Sequence, residues 1–378
     1  MIKRSRFWVY SLSILATLLT IVSSCKKDEN TDDNQQTPPP TPTVIKNTYS
    51  GSGSYGDLVT FEFNQTALSY STYNETTGQS SSGNYTVLGG PLQGVYRVLA
   101  AQDTFFAVEL NDKFIAANFP TGNPQNNLSM GICSEIDNSN NMTNIAGNYV
   151  FIEIDAQGFY NNGNYKEWGA VTVYPNGVFE GMSYATGGPY PLHETTAPED
   201  WTYGFPLVQD SIEFDGTFTI NPTNKERLTV ALNNAPGADF NGFVYATPTE
   251  GVLILDEGAG NGFMLCVKVN PASTLASVAG AYKYISVFNN NTPVGGNATI
   301  SSSGSGTYTQ MLPSGAMESG TLTNIQQCPH IPNFYHGDMY STQFDGKFYV
   351  CIVGDIFFKI SFNTDGTFGQ YGAGGKLN

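Results

Sequence analysis

At 378 residues the chain exceeds one ordinary domain and leaves room for two or three, each able to bury a core. Apolar side chains make up 40% and charged ones 13%, with 41 Gly, 22 Tyr and 24 Phe, a balance that suits short strands joined by tight turns and argues against a helix-rich fold. Setting aside Lys3, Arg4 and Arg6 of the first 24 residues leaves 13 basic against 32 acidic side chains, a formal charge of −19. That charge repels phosphate backbones and argues against nucleic acid as a partner.

The N-terminus reads as an address. Lys3, Arg4 and Arg6 precede an apolar run of sixteen residues from Phe7 to Val22, then Val22-Ser23-Ser24-Cys25. A bilayer-spanning helix needs about 20 apolar residues, so the run predicts a signal-peptide core over residues 1–24. The residues before Cys25 resemble the lipobox of bacterial lipoproteins, with Val22 where Leu is usual and Ser24 where Gly or Ala is usual. Lys26-Lys27-Asp28-Glu29 then resembles the acidic export signal that some Gram-negative bacteria place after the lipidated cysteine. The resemblance to outer-membrane surface lipoproteins implies cleavage before Cys25 and a thioether from Cys25 to diacylglycerol. It also implies the membrane as a partner and an outer-membrane location facing the cell exterior.

Residues 25–43 form a polar tether rich in Pro, Asp and Thr, and 30–43 hold no apolar side chain suited to a core. Beyond it, period-2 alternation predicts half-buried strands, as in Val59, Phe61 and Phe63 against Thr60, Glu62 and Asn64, and again in Val150, Ile152 and Ile154. Asn176-Gly177, Asp215-Gly216, Asn241-Gly242, Asp345-Gly346 and Asp365-Gly366 are read as hairpin turns. The fold class is therefore all-β, in two or three tandem antiparallel meander or Greek-key units, barrel-like or sandwich.

Residues 133–154 match 266–287 without gaps: Cys133, Ala146, Gly147, Tyr149 and Ile152 meet Cys266, Ala279, Gly280, Tyr282 and Ile285. The same junction used twice gives three units, at 44–137, 145–270 and 278–378. In the first unit the strand register is vague, because Ser and Gly dominate 50–56 and 78–84.

Cys133 and Cys266 are expected as buried thiols, whereas Cys328 and Cys351 lie in one unit and are candidates for a disulfide. Cys328, His330, His336 and Asp338 are ligand types for a borderline transition metal, at a spacing that fits no strong signature. Asp256-Glu257 before a glycine-rich run lacks the alternating oxygens of a calcium loop. Nothing in the sequence calls for a cofactor.

Gly51 to Gly56 follows the spacing of a dinucleotide loop, but a strand and no helix comes after it. Gly181-Met182-Ser183-Tyr184-Ala185 sits in a strand without a nucleophile elbow. The segment from Tyr184 to Leu207 is the longest insertion between strands and carries Tyr190, Glu194, Asp200, Trp201 and Tyr203. Aromatic faces stack on sugar rings and carboxylates accept from sugar hydroxyls, so Trp201, Tyr203, Trp168, Tyr190, Glu194 and Asp200 are the candidate ligand contacts. The expected function is non-catalytic binding of an extracellular ligand, carbohydrate before protein. An adhesion or assembly component acting through protein contacts is the alternative, followed by a polysaccharide hydrolase using Glu194, Glu199 and Asp200.

Overall fold

The computed structural model describes residues 46–54, 56–100, 103–110, 113–119, 129–135, 140–155, 166–185, 212–223, 225, 227–233, 243–247, 251–256, 262–288, 292–328, 332–364 and 368–377. Residues 1–45, where the signal peptide, the lipidated Cys25 and the tether are expected, and residues 186–211 lie outside them. Val44–Asn378 groups as one unit.

Within it the chain builds three closed antiparallel barrels of eight strands, one after another. Barrel 1 comprises β1 (Lys46–Gly53), β2 (Leu58–Asn64), β3 (Ser69–Asn74), β4 (Gln79–Val87), β5 (Val95–Ala100), β6 (Asp103–Leu110), β7 (Phe114–Phe119) and β8 (Ser129–Glu135). Barrel 2 comprises β9 (Gly147–Asp155), β10 (Lys166–Val173), β11 (Val178–Ala185), β12 (Ile212–Ile220), β13 (Arg227–Leu232), β14 (Phe243–Thr247), β15 (Val252–Asp256) and β16 (Gly262–Lys268). Barrel 3 comprises β17 (Gly280–Phe288), β18 (Pro293–Ile300), β19 (Gly306–Met311), β20 (Met317–Gln327), β21 (Phe334–Tyr340), β22 (Asp345–Val353), β23 (Ile356–Asn363) and β24 (Phe368–Lys376). In each, neighbours in sequence pair, and the last strand returns to the first: Gly51 faces Cys133, Phe151 faces Cys266, and Ile285 faces Ala373. Closure gives every strand of these sheets a neighbour on both sides, where a sandwich would leave two strands per sheet at an edge.

Alternation sets which side chains point inward. In β2, Val59, Phe61 and Phe63 are buried while Thr60, Glu62 and Asn64 are half-buried. The Asn176-Gly177 turn joins β10 to β11, with Gly177 at a φ of +86° that a side chain would oppose. Two other Gly pairs are not turns. Asp215-Gly216 lies inside β12, where Gly216 faces Leu232 and a Cβ would come within 2.7 Å of the Phe179 ring. Asp345-Gly346 opens β22, paired with Tyr340 and Met339. The dipeptide that favours a tight turn also serves where a neighbouring ring needs space, and sequence alone does not separate the two uses.

Between barrels the chain repeats one device. Helical turn α1 (Met142–Ile145) is capped by the Asn141 side chain, and α2 (Leu275–Val278) by Thr274 in a capping box. Ile145 plugs the interior of barrel 2 and Val278 that of barrel 3. Just downstream, the hydroxyl of Tyr149 donates to the Ile145 carbonyl, and that of Tyr282 to the Val278 carbonyl.

The largest core lies between the barrels as well as inside barrel 1. Val150, Ile152 and Ile154 of β9 point out of barrel 2 into it, as do Ile285 and Val287 of β17 and Phe358 and Ile360 of β23 out of barrel 3. This explains strands buried on both faces, such as β15 and β16, which lie against neighbours inside and outside their barrel. Strands β6 and β7 meet β17 and β24, β1 meets β15, and β9 meets β22 and β23.

Candidate functional site

Among the described residues, space meets polar side chains on the outside of barrel 1 and inside barrel 3. The first is an open groove of about 430 Å³ over β2, β3 and β4. Its lining is almost wholly hydroxyl: Thr60, Ser71, Ser80 and Ser82 share a face with Glu62 and Tyr73, and Thr72 and Ser81, in register with Phe61, complete it. The register explains how they assemble. Thr60 faces Tyr73 and Glu62 faces Ser71 across β2 and β3, while Tyr73 faces Ser80 and Ser71 faces Ser82 across β3 and β4.

Glu62 is held in place, accepting from Lys46 at 2.8 Å and from the Ser71 hydroxyl at 2.9 Å. Those two donors lower its pKa below the ordinary carboxylate value, so it is ionised at neutral pH. Each oxygen retains a lone pair for another donor. Tyr73 is 46% exposed and leaves its ring free to face solvent. Among the described residues β4 pairs with β5 only at Tyr85, Thr86 and Val87, and Ser80, Ser81 and Ser82 form one side of the groove. At the other side Glu75 accepts from Thr60 at 3.2 Å and from Arg227 of barrel 2.

The second place is the interior of barrel 3, an apolar cavity of about 50 Å³ into which Lys359 turns. Phe357, Lys359 and Ser361 share the inward face of β23, while Phe358 and Ile360 face outward. The Lys359 amine lies 4.5 Å from the Tyr284 ring centre and donates to Gln370 Oε1 at 3.3 Å. Burial pushes its pKa down to about 7. Nearby, Tyr284 donates to Gln310 at 3.0 Å and Gln310 to Glu318 at 2.7 Å, a network buried within the barrel.

Barrel 1 holds its own internal carboxylate, Glu109, wholly buried. It accepts from Tyr49 at 2.7 Å, Gln65 at 3.0 Å, Asn47 at 3.1 Å and Tyr96 at 3.3 Å. Four donors satisfy it, which fits a structural anchor. Its charge and burial together push the Tyr96 phenol well above its ordinary value, burial being the larger cause.

Among the residues expected at a site, Trp168 is 1% exposed and faces out of barrel 2 into the core between barrels, 6.3 Å from the Phe334 ring. Its ring is spent on packing and offers no face to a ligand. Tyr190, Glu194, Glu199, Asp200, Trp201 and Tyr203 lie outside the described residues, as does His330. Cys328 and Cys351, the candidate pair for a disulfide, are buried thiols and form no bridge. Burial is the main cause that holds the Cys351 thiol well above its ordinary pKa. His336 stacks on Tyr349 and Asp338 accepts from Asn324 at 2.6 Å. Among the described residues no three His, Cys, Asp or Glu side chains converge to hold a metal. The Asp256 carboxylate is taken up by Ser52 at 2.6 Å.

The sequence reading missed Tyr73 and Lys359. For Lys359 a signal existed, a lone cation in the inward phase of the apolar run Ile356–Phe362. For the groove there was little, since β3 and β4 carry polar side chains on both faces.

Comparison with known proteins adds no family. No family description matches the chain, and no curated protein does. Among solved structures, a protein of unknown function of the DUF3598 family from Nostoc punctiforme is similar over 62% of this chain and 97% of its own, at 7% identity and a TM-score of 0.22. A luciferin-regenerating enzyme is similar over 89% of this chain and 96% of its own, at 8% identity and a TM-score of 0.14. Likenesses at these scores carry no argument about fold or function.

Proposed function

We propose that the chain is a lipid-anchored outer-membrane protein that binds carbohydrate outside the cell through the groove on barrel 1. The lipobox-like residues at Val22–Cys25 and the acidic stretch behind them support the anchor and the location. The observation that carries the binding is the placement of the exposed Tyr73 ring beside Glu62, Ser71, Ser80 and Ser82. An aromatic face covers the axial C–H groups of a pyranose, an ionised carboxylate accepts from its hydroxyls, and serine hydroxyls both donate and accept. Because these groups sit on paired strands, little ordering accompanies binding.

A glycan array probed with the mature protein tests this. Wild type is expected to bind a polysaccharide. Tyr73→Ala weakens it about tenfold, roughly 1.4 kcal/mol, while Tyr73→Phe keeps the stacking face and stays close to wild type. Binding by Tyr73→Ala equal to wild type moves the site elsewhere, and no glycan bound by wild type removes carbohydrate as the ligand.

One observation favours a second reading, adhesion through protein contacts. Among the described residues the stretch Gln79–Asn84 of β4 has no ladder partner on its β5 side, and such an edge can accept a strand from another protein. Capture of an outer-membrane protein that is lost on Ser81→Pro, with glycan binding absent, would decide for it.

A further inference from the structure

Inside barrel 3, away from the groove, three residues form one row across the sheet. Gly372 of β24 faces Lys359 of β23 on one side and Ser286 of β17 on the other. The point where a Cβ of Gly372 would stand is 3.1 Å from Lys359 Cε and 2.3 Å from Ser286 Oγ. Glycine thus lets the Lys359 Cε and the Ser286 hydroxyl close on the same spot. Ser286 is fully buried, and its hydroxyl finds no hydrogen-bond partner there. A buried hydroxyl left unsatisfied costs about 1–3 kcal/mol. Beside this row lies the cavity lined by Lys359, by Tyr282, Tyr284 and Tyr308, and by apolar side chains such as Leu322 and Met339.

We propose that this cavity captures a small apolar aldehyde as an imine on Lys359, with Ser286 donating to the carbonyl oxygen. The amine lone pair attacks the carbonyl carbon to form the C–N bond, and the Ser286 hydroxyl donates a hydrogen bond to the oxygen as it gains charge. The two amine protons pass to that oxygen, the C–O bond breaks, and one water leaves, so no oxidant or reductant is needed. Nucleophilic attack needs the neutral amine, and the low pKa of Lys359 supplies it near pH 7, where an ordinary lysine is almost wholly protonated. The titratable and charged groups facing it are Tyr282 and Tyr284 of β17, Tyr308 of β19 and Glu318 of β20. Burial holds all three phenols above their ordinary values, so they stay neutral across this range. The size follows from the volume: about 50 Å³ admits three or four water-sized atoms, hence an aldehyde as small as propanal.

The test is to incubate the full mature protein with propanal at pH 7, reduce with cyanoborohydride, digest it and measure propyl-lysine by mass spectrometry. Lys359 is expected to be labelled about tenfold more than the exposed Lys46, because far more of it is neutral. Ser286→Ala slows labelling of Lys359 several-fold and leaves Lys46 unchanged. Labelling of wild-type Lys359 no greater than that of Lys46 overturns the proposal, and needs no variant to fold. Unchanged labelling in Ser286→Ala removes the serine from it.

Discussion

Ser52 of β1 donates its hydroxyl to Asp256 Oδ2 of β15 at 2.6 Å, and both residues are almost wholly buried. The bond joins barrel 1 to barrel 2 across 204 residues of chain. Beside it Ser54 accepts from Tyr371 of barrel 3 at 3.1 Å and from the Met130 amide at 3.1 Å. Two serines of one short segment therefore tie barrel 1 to both of the others.

Ser52→Ala takes a hydrogen bond from a buried carboxylate and is expected to destabilise the body by about 2 kcal/mol. A guanidinium titration followed by tryptophan fluorescence reads it as a lower midpoint. An unchanged midpoint would mean that the barrels do not depend on this contact.

At the junctions, Tyr149→Phe and Tyr282→Phe each remove one buried hydroxyl bond to a helical turn, at a cost of about 1 kcal/mol apiece. The two sites share no partner, so the double variant should lose the sum. A double variant no less stable than either single one would contradict the equivalence of the two junctions.

Gly295 of β18 lies against barrel 1, where a Cβ would come within 2.7 Å of both Phe106 and Val95. Gly295→Val forces the interface apart, at a cost of roughly 2–3 kcal/mol. Calorimetry should show a lowered melting temperature. A variant melting at the wild-type temperature would show that barrels 1 and 3 are not pressed together here.

Lys359 makes stability depend on pH in a stated direction. Its pKa falls from 10.5 in the unfolded chain to about 7 in the folded one. Between those values the unfolded state binds more protons, so its contribution to stability rises with pH from 7 to 10.5 and is at its most unfavourable below 7. Lys359→Met should therefore melt several degrees above wild type at pH 6, with the gap closing as pH approaches 10. A gap that stays constant across that range would contradict a buried, neutral amine.

Much of the fold was legible because its physical causes are local. The alternation of Val59, Phe61 and Phe63 marks one buried face, and the match of Cys133–Ile152 to Cys266–Ile285 marks the reuse of one junction. Barrel against sandwich was not legible, since period-2 alternation is common to both and closure depends on pairings such as Gly51 with Cys133. Asp215-Gly216 misled because glycine serves close approach as well as turns. The site was harder still. Trp168 looked like a sugar platform because sequence does not reveal that the outward face of β10 is covered by another barrel, and the groove stayed hidden because β3 and β4 are polar on both faces.

The most direct test of carbohydrate binding on barrel 1 is hydroxyl-radical footprinting of the protein with and without its best-bound polysaccharide. The account predicts several-fold protection of Tyr73, while Tyr174 and Tyr340, exposed at 39% and 42%, react as before. Protection of Tyr340 or Tyr174 with Tyr73 unchanged would contradict it.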